Sequence, residues 1–191
     1  MTPADQARTG LTALATLAAR VADQHAGDIA RLAAFYVATL EGGGTVFFAG
    51  NGGSAADAQH AAAEYVVRYG RNRRALPAVA LTTDTSLLTA CGNDLGFDEI
   101  FARQIEALAR PGDLVVLHST SGESPNVVRA AQAARAKGVR VVALLGKGGG
   151  EARGVVDDCL VIPADETARI QELHLAVEHV ICDLVEAALK L

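Results

Sequence analysis

The sequence is poor in aromatic residues, in cysteine and in long hydrophobic runs. Aromatic side chains make up 4% of its 191 residues and tryptophan is absent, so Ala, Val and Leu must fill the core. The three cysteines, Cys91, Cys159 and Cys182, form no CxxC pair, which favours free thiols in a reducing compartment. No apolar run approaches the roughly 20 residues that span a bilayer, and the first residues lack a signal-peptide pattern. We therefore expect a cytoplasmic protein with no membrane partner.

Positive charge is scarce as well. The formal net charge is −5, which argues against a nucleic-acid partner, because such a surface needs clustered positive charge. One basic cluster is present at Arg68, Arg71, Arg73 and Arg74. It predicts a solvated loop or, alternatively, a rim that attracts an anionic substrate.

The hydrophobic residues that are present indicate one globular domain over residues 1–191. Half of the residues are hydrophobic and a fifth are charged, and the length suits a single core. Residues 1–40 have apolar positions at helical spacing, and this helical segment is expected either to mediate oligomerisation or to cover the sheet. Residues 41–191 are predicted to form an α/β core.

Within that core, short apolar runs alternate with helical segments. The apolar runs lie at 45–49, 78–82, 114–118, 139–145 and 159–162. The helical segments lie near 53–68, 97–109, 124–137, 149–155 and 167–189. Continuous runs of β-branched residues are typical of strands buried on both faces, so the pattern predicts a doubly wound parallel sheet of five strands. Ligands bind at the carboxyl ends of the strands in such folds.

A glycine-rich turn, residues 50–54, follows the first run. Glycines let the backbone approach a ligand closely, and the helix that follows offers free N–H groups to an anion. The turn lacks the Gly-Lys-Ser/Thr of a Walker A loop and the third glycine of GxGxxG. A nucleotide site is therefore disfavoured, and by itself the turn is as often structural as functional.

A second polar turn follows the third run and contains Ser119, Thr120, Ser121 and Ser124 around one glycine. Ser124 followed by Pro125 is typical of the N-cap and first position of a helix. An ordinary helix start explains Ser124 but not the other three hydroxyl groups. We therefore expect the turn to hold a phosphate through hydroxyl and backbone N–H groups.

The helix after the first turn has three residues suited to metal binding or proton transfer. Asp57, His60 and Glu64 lie on one helical face. A histidine and a glutamate at this spacing can share a metal ion, or one can orient the other as a general base. An isolated pair of this kind is more often a surface contact, but this helix begins at a candidate ligand turn.

In chain order, these motifs resemble the SIS (sugar isomerase) domain and, within that class, the phosphoheptose isomerase family. The resemblance rests on the two polar turns, on His60 with Glu64, on residues 92–97 and on residues 168–179. It implies a flavodoxin-like sheet, a homotetramer, one Zn²⁺ ion per active site and sedoheptulose 7-phosphate as substrate.

The same resemblance implies roles for single residues. Glu64 and His179 match the family's catalytic acid/base pair. The residues that match its zinc ligands are His60, Glu64, Gln171 and His179. The residues that match its substrate contacts are Asn51, Gly52, Gly53, Ser54, Asp57, Glu64, Asn93, Asp94, Ser119, Thr120, Ser121, Ser124 and Gln171. For Asn93 and Asp94 ordinary turn chemistry is the alternative, and for Asp57 it is capping or solvation of the helix.

The residue types suit aldose–ketose isomerisation through an enediol(ate), which needs a base, an acid and stabilisation of charge on oxygen. A carboxylate and an imidazole can both work near neutral pH, and a divalent ion can polarise the sugar oxygens. Two alternatives remain open. One is an isomerase of a pentose or hexose phosphate, and the other is a non-catalytic SIS adaptor or sugar-phosphate sensor. In the related adaptor the position that matches His179 is not a histidine, so the resemblance favours an enzyme.

Gln171 and His179 are eight residues apart on one predicted helix. That spacing corresponds to about 12 Å along the axis and about 80° around it, whereas two ligands of one zinc ion lie about 3–4 Å apart. We therefore predict that the Gln171 and His179 on any one metal come from different subunits, with the active site at an interface. The alternative is a break in the helix between Thr167 and Gln171.

Overall fold

The protein is built on a five-stranded parallel sheet, as the sequence predicts. In the computed structural model, which describes residues 1–191, the strands are β1 (Val46–Gly50), β2 (Ala78–Ala80), β3 (Leu114–Ser119), β4 (Arg140–Leu145) and β5 (Asp158–Val161). They lie in the order β2-β1-β3-β4-β5, and every neighbouring pair is parallel. This strand order is that of the flavodoxin-like doubly wound folds, so the predicted fold class is confirmed.

Helices cover both faces of the sheet. They are α1 (Pro3–Glu41), α2 (Gly53–Val66), α3 (Thr85–Asp94), α4 (Ala102–Leu108), α5 (Pro125–Ala136) and α6 (Thr167–Ala188). One hydrophobic cluster joins the sheet to α1, α2 and α6, and a second joins it to α3, α4 and α5. Side chains that alternate along a strand face opposite clusters: Val46 and Phe48 belong to the first, whereas Phe47 and Ala49 belong to the second.

The first helix is longer than the surface it covers. It begins at a capping box in which Thr2 and Asp5 exchange hydrogen bonds, with Pro3 at the first helical position. Its buried residues begin only at Leu17, and Leu11 is 70% exposed. From Leu17 onward α1 therefore packs against the sheet and α6, whereas most of its residues before Leu17 are exposed. None of the helices combines the length and the apolar character needed to cross a bilayer.

Two predicted helical segments need correction, and one helix was not predicted. The segment at 149–155 forms two short 3-10 turns, Lys147–Gly149 and Glu151–Gly154, because three consecutive glycines interrupt regular helix geometry. The segment at 97–109 divides into a 3-10 turn (Phe97–Glu99) and the shorter α4. The helix α3, which none of the predicted segments covers, ends with Asn93 and Asp94.

Candidate active site

Two polar turns meet at the carboxyl ends of β1 and β3. The side chains of Asn51 and Asn126 join them through a reciprocal pair of amide hydrogen bonds of 2.8 and 2.9 Å. Asn126 is buried, at 1% exposure. No sequence pattern distinguishes Asn126, because its amide pairs with Asn51 only when folding brings the two turns together.

The turn after β1 places the start of α2 against α6. Gly52 adopts the left-handed region with φ +57°, and Ser54 is buried in the first turn of the helix. A Cβ atom on Gly53 would lie 2.6 Å from the amide group of Gln171. The absence of a side chain at position 53 therefore lets Gln171 lie directly on the N-terminus of α2.

The turn after β3 leaves hydroxyl groups available for a ligand. The hydroxyl oxygens of Ser119 and Ser121 accept hydrogen bonds from the backbone N–H groups of Gly122 and Glu123, at 3.0 and 3.1 Å. Ser124 occupies the N-cap of α5, as predicted, but its side chain makes no capping hydrogen bond. Pro125 has no N–H group and the N–H groups of Val127 and Val128 donate to the Ser124 carbonyl oxygen, so the Ser124 hydroxyl group and the Asn126 N–H group are the donors of this helix start that are free to bind an anion.

His60, Glu64 and His179 form a cluster of three possible metal ligands. The Nε2 atoms of His60 and His179 lie 2.9 Å apart, and Glu64 Oε1 lies 3.2 Å from His60 Nε2. All three donor atoms lie within 4.8 Å of one another, which is compatible with one shared ion. Two imidazole nitrogens and a carboxylate oxygen form a donor set that zinc accepts, and the 46% exposure of the His60 side chain leaves room for substrate.

Gln171 does not join this cluster within one chain. It contacts Gly53 at the N-terminus of α2, whereas His179, eight residues later on α6, contacts His60. The helix α6 runs without a break from Thr167 to Ala188. This continuity removes the alternative in which a helix break lets one chain supply both residues to one metal.

A loop residue that the sequence analysis did not select lies against His179. The ring of Tyr69 stacks on the His179 ring, with centroids 5.5 Å apart and an interplanar angle of 28°. The carboxylate of Glu186 fixes this loop by accepting hydrogen bonds from the backbone N–H groups of Tyr69, Gly70 and Arg71. Tyr69 thus forms one wall of the cluster.

The arginine cluster divides into one buried and three exposed side chains. The Arg73 side chain is 3% exposed, pairs with Glu186 at 2.7 Å and donates to the carbonyl oxygens of Glu64 and Tyr65 at the end of α2. Burial acts to raise the pKa of Glu186, but the hydrogen bonds from Arg73 and the loop lower it below its usual value. Arg73 is therefore structural, and only Arg68, Arg71 and Arg74 are exposed.

Several polar side chains next to the His60, Glu64 and His179 cluster are buried in the core. Glu178 and His118 are 1% and 0% exposed, and Glu178 Oε1 lies 2.9 Å from His118 Nε2. Burial raises the pKa of the nearby Asp57 carboxyl group, and its Oδ2 atom is buried without a hydrogen-bond partner. His174 is fully buried, with its Nε2 atom 3.1 Å from the carbonyl oxygen of Leu145.

Asn93 and Asp94 are the predicted site residues that the chain leaves apart. Both are exposed at the end of α3, and the Asn93 amide donates to the Asp94 carboxylate at 2.7 Å. Neither makes a hydrogen bond to the two polar turns or to the histidine cluster.

A doubly wound sheet with hydroxyl-rich turns at the ends of its strands defines a SIS (sugar isomerase) domain, and residues 11–146 match the SIS domain family. The phosphoheptose isomerase of Akkermansia muciniphila is 55% identical over 161 residues, which cover 84% of this chain and 85% of that protein. That of Geobacter sulfurreducens is 57% identical over 164 residues, which cover 86% and 87%. The chain belongs to the phosphoheptose isomerase family.

Solved structures agree with this assignment. The phosphoheptose isomerase of Neisseria gonorrhoeae has a TM-score of 0.92 at 39% identity, covering 97% of this chain and all (100%) of that chain. The enzyme of Francisella tularensis has a TM-score of 0.94 at 35% identity, covering 98% and 100%. The fold is therefore shared over nearly the whole length of the chain.

Proposed function

We propose that the protein converts sedoheptulose 7-phosphate to D-glycero-D-manno-heptose 7-phosphate, an aldose–ketose isomerisation that feeds activated heptose biosynthesis. The observation that supports it is the cluster of His60, Glu64 and His179 beside two hydroxyl-rich turns. The turns offer an anion site without a nucleotide motif, and the cluster offers the acid and base that the reaction needs. The choice of a heptose phosphate as the substrate comes from the names of the family relatives.

In this proposal the phosphate binds to the two turns through Ser54, Ser119, Ser121 and Ser124, with Thr120 and backbone N–H groups as further donors. The sugar then extends toward α2 and α6, where Asn51, Asp57 and Gln171 bind its hydroxyl groups. Asn93 and Asp94 are assigned to substrate hydroxyl groups by the family resemblance alone.

Glu64 and His179 transfer the protons. Glu64 removes a proton from C1 of the ketose while His179 protonates the oxygen on C2, which gives an enediol. Return of a proton to C2 and loss of the proton from the C1 oxygen give the aldose. The position of His179 beside Tyr69 shields one side of its ring from water, which favours a defined orientation of the imidazole.

We assign one zinc ion to the cluster, with His60, Glu64 and His179 as ligands from one chain. When bound, zinc would polarise the sugar oxygens and stabilise charge on them. Because a zinc-bound donor atom is a poorer base, Glu64 and His179 transfer protons when the ion does not occupy their donor atoms. Gln171 is the proposed fourth ligand and comes from a partner subunit, because α6 is unbroken and places it about 12 Å along the axis from His179.

This arrangement requires an oligomer, and we propose a homotetramer with active sites at subunit interfaces. The segment 1–40 is the proposed oligomerisation segment, with the exposed part of α1 before Leu17 as its contact surface. Residues 41–191 form the α/β core of the proposed single SIS domain. We also place the protein in the cytoplasm, a compartment that suits its three unpaired thiols.

The function is tested by incubating the purified protein with sedoheptulose 7-phosphate and following the aldose by NMR. We expect an aldose heptose phosphate to form, with at least tenfold lower turnover on fructose 6-phosphate and ribulose 5-phosphate as matched ketose phosphates. Removal of metal by a chelator should lower both turnover and the melting temperature, and zinc should restore both. Turnover confined to a pentose or hexose phosphate, or no turnover on any sugar, would contradict the proposal.

A further inference from the structure

The acid and imidazole buried behind the active site belong to a small hydrogen-bonded group. Glu178 Oε1 accepts a hydrogen bond from the hydroxyl group of Tyr36 at 3.0 Å and lies 2.9 Å from His118 Nε2. Tyr36 on α1, Glu178 on α6 and His118 on β3 are all at most 1% exposed. The group therefore connects three elements inside the hydrophobic core.

Stability alone does not account for this group. Burying an ionisable pair costs desolvation energy that apolar side chains of the same size avoid. Two of its polar atoms, Glu178 Oε2 and His118 Nδ1, are also buried without any hydrogen-bond partner. On the buried side of α6 the glutamate lies beside the apolar Val177 and Ile181, and His174 and Glu186 are the other buried polar side chains of this helix.

The position of the pair suggests what it does. His118 directly precedes Ser119 in the phosphate turn, and Glu178 directly precedes His179 in the cluster. The contact between His118 and Glu178 therefore connects β3, which leads into the proposed phosphate-binding turn at residues 119–124, to α6, which bears His179.

The pair also restricts rotation of α6 about its axis. Successive side chains on a helix leave the axis about 100° apart. With Glu178 held inward against β3, His179 is directed toward α2, where its Nε2 atom lies 2.9 Å from His60 Nε2. An apolar residue at 178 would pack on the sheet over a range of rotations, whereas a directional hydrogen bond selects one of them.

We propose that His118 and Glu178 are positioning residues that fix the rotation of α6 and so hold His179 against His60 and Glu64. This inference rests on the proposed function, because it takes His179 to be a catalytic and metal-binding residue. It assigns no proton transfer to the buried pair.

The test compares variants that remove the directional contact with variants that keep it. The double variant His118→Leu/Glu178→Leu replaces the pair by apolar side chains and should fold with a melting temperature at or above that of the wild type. We expect its kcat and its zinc affinity to fall by about 10- to 100-fold, the range typical of residues that orient metal ligands. KM for sedoheptulose 7-phosphate should change less than about threefold.

Two further variants and a control make the test decisive. Glu178→Gln keeps an oxygen that accepts both hydrogen bonds, so kcat and zinc affinity should stay within about threefold of the wild type. His118→Phe removes the contact to Glu178 but leaves the hydrogen bond from Tyr36, and it should lower kcat and zinc affinity by about tenfold, which decides the matter if the double variant does not fold. Gln104→Leu, a buried polar change on the opposite face of the sheet, should lower the melting temperature and leave kcat unchanged.

The outcomes separate this inference from the function on which it rests. A wild-type protein that does not isomerise the heptose phosphate removes the proposed function, whereas zinc affinity still reports on the position of His179. Wild-type kcat and zinc affinity in the double variant would overturn the inference. A loss in Glu178→Gln equal to that in the double variant would overturn it too, because charge and not hydrogen-bond direction would then be required.

Discussion

At the scale of single residues, burial separates the histidines into different chemical roles. His60 and His179 face the solvent side of the cluster, whereas His174 is enclosed by the core. Burial, together with the nearby His118, lowers the pKa of His174 from 6.5 to about 3. His174 is therefore neutral at physiological pH and suits a structural role.

This depressed pKa gives a prediction about stability and pH. The unfolded chain takes up a proton at position 174 near pH 6.5 and the folded chain only near pH 3. Above pH 6.5 the titration of His174 therefore does not reduce the free energy of unfolding. Below pH 6.5 it reduces the free energy of unfolding by up to about 1.4 kcal/mol per pH unit. His174→Gln, which keeps a donor for Leu145 but does not titrate, should lose about 1 kcal/mol less than the wild type between pH 7.5 and 5.5. Urea unfolding at both pH values measures this, and equal losses would contradict it.

At the scale of elements, the five strands and α6 could be predicted from the sequence because each has an unambiguous pattern of apolar residues. The five apolar runs became the five strands, and the helical pattern at 167–189 became α6. The conformation of the segment after β4 could not be predicted, because its glycines adopt backbone conformations that depend on packing against the polar turn after β3.

That packing makes Gly122 a sensitive position. It has φ +70°, and a Cβ atom there would overlap the carbonyl oxygen of Gly149. Gly122→Ala should therefore cost about 1–3 kcal/mol of stability and displace Ser121 and Ser124, which should raise KM for the sugar phosphate. Thermal unfolding and steady-state kinetics measure the two effects.

Gly27→Ala is the matched control for this change. Gly27 lies within α1 with open space around its Cβ position, so alanine should stabilise the helix by about 0.5–1 kcal/mol and leave KM unchanged. Equal KM values for Gly122→Ala and the wild type would show that the turn does not bind the phosphate.

At the scale of the whole molecule, the sequence could not predict contacts between residues far apart in the chain. In the sequence Arg73 belongs to a basic cluster that suggests a solvated loop. In the structure its side chain is buried and pairs with Glu186, which lies 113 residues later in the chain. His118 and Glu178 are separated by 60 residues, and Tyr69 meets His179 only after folding. By contrast, His60 and Glu64 could be predicted as a pair because one helical turn brings them together.

The proposed active site, shared between two subunits, gives a prediction at the scale of the whole molecule. Gln171→Ala and His179→Ala should each be inactive alone, and co-expression should restore activity, because some sites in mixed oligomers then combine an intact Gln171 with an intact His179 from another chain. Activity per mixed oligomer, purified with two different affinity tags, measures this. If mixed oligomers assemble but are no more active than either parent, one chain supplies both residues and the interface site is wrong.

The most direct test of the central proposal, isomerisation with Glu64 as the base, is solvent deuterium exchange into sedoheptulose 7-phosphate, followed by ¹H NMR. The wild type should exchange at C1 or C2 while the aldose forms. Glu64→Gln keeps the shape of the side chain but not the base, so exchange and turnover should fall together by about 100-fold or more, while the sugar phosphate still binds. Normal exchange and turnover in the folded Glu64→Gln variant would contradict the proposal.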